Sequence, residues 1–84
     1  MNILISEEAQ AAVNKKGGAV TVKMKMCGGW SGFSLQPIVE MGEPDDASAY
    51  TKFESVYVDK SIKANNIVID YRKGLFGGLR VKLN

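Results

Sequence analysis

The sequence predicts an α+β fold that is mostly β, with one N-terminal helix and about six short strands in a single domain over residues 1–84. Three observations point there. A helix-start signal at Ser6-Glu7-Glu8-Ala9 is closed by Gly17-Gly18, the apolar period changes to two at Ala19, and further short apolar runs are divided by turn-forming residues. A chain of this length buries about 60 to 65% of its unfolded surface, so a large enclosed active site is not expected.

The elements follow in order. Ser6 can accept from a free backbone N–H, and Glu7 and Glu8 sit at the positive end of the helix dipole. Ala9, Ala12 and Val13 share one face, Lys15 and Lys16 occupy the last turn, and the glycine pair supplies the exit, which predicts a helix over residues 7–16 that covers one side of a sheet. From Ala19, Val20, Val22, Met24 and Met26 point one way and Thr21, Lys23, Lys25 and Cys27 the other, the signature of a half-buried strand that Gly28-Gly29 is placed to interrupt. Phe33 to Val39 is apolar but contains Pro37, which suits an edge strand or a bulge. Residues 42–48 read as a surface loop whose Asp45-Asp46 pair is a solvated acidic step rather than a metal or acid/base site. Residues 50–58 resume strand character, Asp59-Lys60-Ser61 reads as a turn or short cap, and Ile67 to Tyr71 reads as another strand. After Gly74-Leu75-Phe76-Gly77-Gly78, Leu79, Val81 and Leu83 alternate with Arg80 and Lys82 as a last strand.

Composition excludes several classes of function. There is no histidine, which closes catalytic triads, histidine acid/base pairs and most zinc sites. Eleven basic and nine acidic residues are mixed along the chain, and the net charge of +2 is too balanced for a nucleic-acid footprint. No run of about 18 apolar residues occurs and Met1 to Ile5 lacks the form of a signal peptide, so neither a membrane partner nor a targeting segment is expected. One cysteine forms no internal disulfide, which leaves a reducing compartment and a small soluble cytoplasmic protein as the expectation. The glycines near the C-terminus lack the Gly-Lys-Ser/Thr of a phosphate loop.

Chemistry therefore concentrates in Lys23 to Ser34, which holds Cys27, the only cysteine, and Trp30, the only tryptophan. Cys27 shares a face with two lysines, whose ammonium groups favour a thiolate; equally, a lone cysteine can be a small buried hydrophobe. Trp30 and Phe33 are either anchors at a protein contact or core residues. Arg72, Lys73, Arg80 and Lys82 form either a solvated face or a surface suited to an acidic partner.

The order of several elements resembles the HesB/IscA-like domain, the A-type iron-sulfur carrier family. They are the N-terminal strand with a Ser-x-x-Ala helix, the Cys/Gly-rich turn, Val56-Tyr57-Val58-Asp59, Ile69-Asp70-Tyr71, and the closing Gly77-Gly78-Leu79-Arg80-Val81-Lys82-Leu83-Asn84. Lys15-Lys16-Gly17-Gly18-Ala19-Val20-Thr21-Val22 looks like a divergent HesB-related branch carrying cysteine or selenocysteine in this turn. The resemblance spans nearly the whole chain and implies a small β-sandwich-type domain related to iron-sulfur cluster assembly. It also implies three thiolate ligands, one in a Gly-Cys-Ser-Gly turn and two in a C-terminal Cys-Gly-Cys, binding iron or a cluster shared between subunits of a homo-oligomer.

Two registers are open against that pattern. Matching Gly29-Trp30-Ser31-Gly32 to the family turn puts Trp30, which has no thiolate, at the ligand position; matching Cys27-Gly28-Gly29-Trp30 puts Cys27 there. The two C-terminal cysteines would fall beyond Asn84, so at most one of three ligands is present, whereas a cluster needs about four such bonds. Three readings follow: labile iron or cluster handling through Cys27, with Cys27 as cofactor and metal ligand; single-thiol redox work by Cys27; and a non-catalytic protein-interaction module with Trp30 and Phe33 as contacts. No enzymatic activity is expected unless the redox reading holds.

Overall fold

The computed structural model describes residues 1–73 and 78–84. The predicted glycine-rich turn lies outside the described residues, apart from Gly78. The elements are β1 (Asn2–Ile5), α1 (Glu7–Lys15), β2 (Val20–Gly29), β3 (Gly32–Met41), a 3₁₀ turn at Ala47–Ala49, β4 (Tyr50–Phe53), β5 (Val56–Asp59), β6 (Asn66–Arg72) and β7 (Gly78–Leu83).

The strands form two mixed sheets. One has the order β1-β6-β7, with β1 parallel and β7 antiparallel to β6. The other has the order β3-β2-β5-β4, in which only the β2/β5 pairing is parallel. The protein is thus mostly β with a single α-helix among the described residues, as the sequence predicts.

The helix forms where its caps place it. Ser6 Oγ accepts from the Ala9 N–H at 3.1 Å, Lys16 is the C-cap, and Gly18, at φ 82°, donates its N–H to the Val13 carbonyl. Its Ala9 and Val13 are fully buried with Val20, Val22, Val56, Val58, Ile62, Ile67 and Ile69, so the core lies where α1 and the inner faces of both sheets meet. Burying side chains of this kind stabilises by about 1.5–3 kcal/mol each. The second face of β2 and β5 is covered too: Thr21 Oγ1 donates to the Gly42 carbonyl at 2.8 Å and the Tyr57 hydroxyl bonds the Glu43 carboxylate at 3.3 Å, which holds the 42–49 loop over that sheet.

Pro37 behaves as the sequence predicts, because β3 is an edge strand of its sheet. Counting from the Gly29/Gly32 pair that closes the hairpin, Pro37 stands opposite Met24, where alternation of the antiparallel ladder turns amides away from β2. Its missing N–H removes no bond to β2 and blunts the outer edge.

Three expectations are corrected. Residues 50–58 do not form one strand but the β4/β5 hairpin, turning at Glu54-Ser55 with Glu54 in the left-handed region at φ 56°. Gly28-Gly29 does not interrupt β2, whose pairing with β3 continues to Gly29/Gly32. Met26 points to the same side as Val20 and Val22 yet is exposed, because β2 outruns the rest of its sheet.

Candidate functional site

That overrun defines the site. β2 has ten residues but its inner neighbour β5 pairs only with Val20, Thr21 and Val22. Beyond them β2 is hydrogen-bonded to β3 alone, and from Lys25 and Gln36 outward nearly every residue is exposed. The outer half of the β2–β3 hairpin is a two-stranded arm, and a two-stranded ribbon is marginal in water without further packing.

The register assigns the arm's two faces. Paired residues in an antiparallel ladder project to the same side, so Met26 with Leu35 and Gly28 with Phe33 form one face, the continuation of the core-facing row of β2. Cys27 with Ser34 and Lys25 with Gln36 form the other. On the first face Met26 is 58% exposed, Leu35 60% and Phe33 79%. Trp30, at the apex of the two-residue turn, is fully exposed at 108% of its reference area. The core-residue reading of Trp30 and Phe33 is therefore excluded by their exposure.

Gly28 has a local reason. A Cβ built there would meet Phe33 Cδ1 at 2.0 Å and Cε1 at 2.3 Å, so the Phe33 ring lies across the glycine and fills the space its missing side chain leaves. The conformational freedom the turn needs is supplied by Gly32, at φ 113°, while Trp30 and Ser31 keep negative φ.

Cys27 is a free, half-buried thiol in the body of the strand, neither sealed in the core nor set on a glycine turn. It lies on the lysine-bearing face, as alternation predicts. Lys23 is committed elsewhere: its ammonium sits 3.1 Å from the Glu40 carboxylate, whose hydrogen bond and charge hold it above the usual lysine range. Lys25 is the cation two residues from the thiol on that face. The ribbon separates the Cys27 side chain from the Phe33 ring.

The other sequence candidates are placed as follows. Asp46 caps the 3₁₀ turn, accepting from the Ser48 N–H at 3.1 Å and from the Ser48 hydroxyl, bonds that lower its pKa. Arg72, Arg80 and Lys82 are exposed on the β6/β7 sheet, and Lys73 follows the end of β6. Among the described residues no three Cys, Asp or Glu side chains converge on a point that would hold a metal ion. One chain thus offers a single thiolate donor, Cys27, and these residues do not fit a cluster held by one subunit.

Sequence reasoning missed Met26 and Leu35 as members of the site. No local signal marks them, because their exposure follows from β5 pairing with only three residues of β2.

This architecture is that of a small two-sheet α+β protein with an overhanging hairpin. A family model described as "CC/Se motif containing family" matches residues 1–82, and the chain belongs to that family. Read as a cysteine pair, the motif is incomplete here, because Met26 precedes Cys27 and Gly28 follows it. No curated protein and no solved structure matches the chain.

Proposed function

We propose that this protein is a binding module that docks the outer half of its β2–β3 hairpin into an apolar site on a partner protein, with Trp30 and Phe33 as anchors. The observation that carries this reading is the full exposure of Trp30 at the tip of an arm whose adjoining face is Met26, Phe33 and Leu35. Exposed aromatic side chains on a protruding element are what interface anchors require, and truncating such an anchor typically costs a complex 2 kcal/mol or more, roughly a thirtyfold loss of affinity. Partner recovery from host extract tests it. A defined protein retained in stoichiometric amount by wild type and Cys27→Ser, but lost with Trp30→Ala, supports the reading; loss with Cys27→Ser and retention with Trp30→Ala overturns it.

A second reading is favoured by membership of a family described by a cysteine or selenium motif and by the partial exposure of Cys27. Here Cys27 is the working atom, as a labile ligand for iron or a cluster passed between proteins, or as a redox thiol. In the redox form the Cys27 thiolate attacks one sulfur of glutathione disulfide, a mixed disulfide forms, and glutathione thiolate leaves; a partner-protein thiolate then attacks the glutathione sulfur of the mixed disulfide, Cys27 leaves as thiolate, and the partner thiol ends joined to glutathione as a disulfide. The HesB/IscA resemblance supports the ligand form, with a second subunit or a partner supplying the remaining donors. Anaerobic incubation with iron and sulfide separates the two: cluster absorption in wild type and not in Cys27→Ser supports ligation, whereas a colourless wild type removes it. A Cys27 alkylation pKa at or above about 8.5 removes the redox form.

A further inference from the structure

The β1-β6-β7 sheet has an outer face that neither reading uses. Alternation turns Ile67, Ile69 and Tyr71 of β6 and Leu79, Val81 and Leu83 of β7 inward, so Val68, Asp70 and Arg72 share the outer face with Arg80 and Lys82. Asp70 stands directly opposite Arg80 and Val68 opposite Lys82, while Gly78 opposite Arg72 leaves a gap. Apart from Gly78, these residues line an open depression of about 380 Å³ together with Tyr71 and Val81.

The face carries three cations against one anion, and that anion is occupied. Asp70 Oδ1 accepts from the Tyr71 N–H at 2.8 Å, and the carboxylate makes no ion pair with its cross-strand neighbour Arg80. Among the described residues the single ion pair is Lys23 with Glu40, and residues 74–77 contain no acidic side chain. The Tyr71 N–H bond, helped by the nearby charge of Arg72, holds the Asp70 carboxyl below its usual range, yet no carboxylate is bonded to Arg72, Arg80 or Lys82, and the exposed face keeps an excess of two positive charges. Beside them the face turns apolar, with Val68 next to Leu4 of β1, which is exposed.

We infer that this face docks an acidic, extended segment of a partner protein, with carboxylates on Arg80, Lys82 and Arg72 and an apolar side chain on Val68 and Leu4. Charge complementarity selects an acidic occupant. Spacing selects an extended chain: Arg80 and Lys82 are about 7 Å apart along the strand, the interval between alternate side chains of an extended peptide, so a Glu-x-Glu repeat meets both. Three cations are too few for the roughly six to ten phosphates that a nucleic-acid groove engages, and the apolar strip has no counterpart in a phosphate backbone. This surface is distinct from the hairpin arm, and the inference does not rest on the arm's proposed role.

The test is an NMR titration of the isotopically labelled full chain with an acetylated, amidated peptide of alternating glutamate and valine, at about 20 mM and about 200 mM salt. The inference expects shifts confined to β6, β7 and the end of β1, weaker binding at the higher salt, and about tenfold or greater loss with Arg80→Glu. The milder pair Arg80→Gln and Lys82→Gln should also weaken binding if charge reversal disturbs the fold. Lys63→Glu, which changes net charge equally at an exposed loop position, should leave binding unchanged. An equal loss with Lys63→Glu, shifts centred elsewhere, no saturable binding, or tighter binding of inorganic phosphate or oligothymidylate than of the peptide would each overturn it.

Discussion

The Phe33 ring lies across its strand partner Gly28, so closely that a Cβ at position 28 would stand 2.0 Å from Phe33 Cδ1. This contact joins the two strands across the arm's apolar face at Gly28. Gly28→Ala should displace the ring toward solvent. The expected loss of stability is at most about 1 kcal/mol, the worth of one cross-strand aromatic contact. The direct check is the Gly28 Hα chemical shift, which ring current should move upfield in wild type and which should return to its ordinary position in Phe33→Ala.

The two rows of apolar residues on β2 and β6 differ in what they do. Ile67 is fully buried in the core, whereas Met26 continues the β2 row into solvent. Ile67→Ala should cost about 2–5 kcal/mol through lost burial and the cavity left behind. Met26→Ala should change stability by no more than about 0.5 kcal/mol. Urea unfolding midpoints of the two variants decide the matter, and a comparable loss in both would mean the arm is packed.

Glu54 at φ 56° is a non-glycine residue holding a left-handed conformation in the β4/β5 turn. That conformation costs roughly 1 kcal/mol for a residue with a Cβ, and glycine escapes the penalty. Glu54→Gly should therefore raise the urea midpoint, and the β-branched Glu54→Val should lower it.

The Asp46 carboxylate bonds the Ser48 amide and hydroxyl, and its pKa is lowered by those bonds. A carboxyl whose folded pKa lies below its unfolded one contributes stability above the unfolded value, near about 4, and loses it as the pH falls through the folded value. Asp46→Ala should therefore be less stable than wild type at neutral pH, and the gap should narrow as the pH falls below the usual aspartate range. Paired unfolding curves at neutral and acid pH measure it; a gap independent of pH would contradict the assignment.

Much of this fold is written locally. Ser6 and Gly17-Gly18 bracket the helix, alternation from Val20 sets the faces of β2, and Pro37 marks β3 as an edge. The β4/β5 turn escaped because Glu54-Ser55 has no glycine, proline or asparagine; its left-handed residue is imposed by the pairing of Phe53 with Val56. The candidate site was half legible. Alternation placed Cys27 on the lysine face, but the exposure of Met26, Trp30, Phe33 and Leu35 depends on β5 pairing with only three residues of β2, a nonlocal fact. The continuation of β2 through two glycines likewise rests on their pairing with Phe33 and Gly32 of the opposite strand.

Since Trp30 is the sole tryptophan, its fluorescence reports on the arm alone. The decisive measurement is acrylamide quenching of that emission in dilute protein. An indole standing free at the hairpin apex should emit at the wavelength of N-acetyltryptophanamide in water and quench nearly as readily, with protection appearing only when a partner is added. Blue-shifted, quench-resistant emission from the isolated chain would place Trp30 in packing and contradict the arm as a docking element.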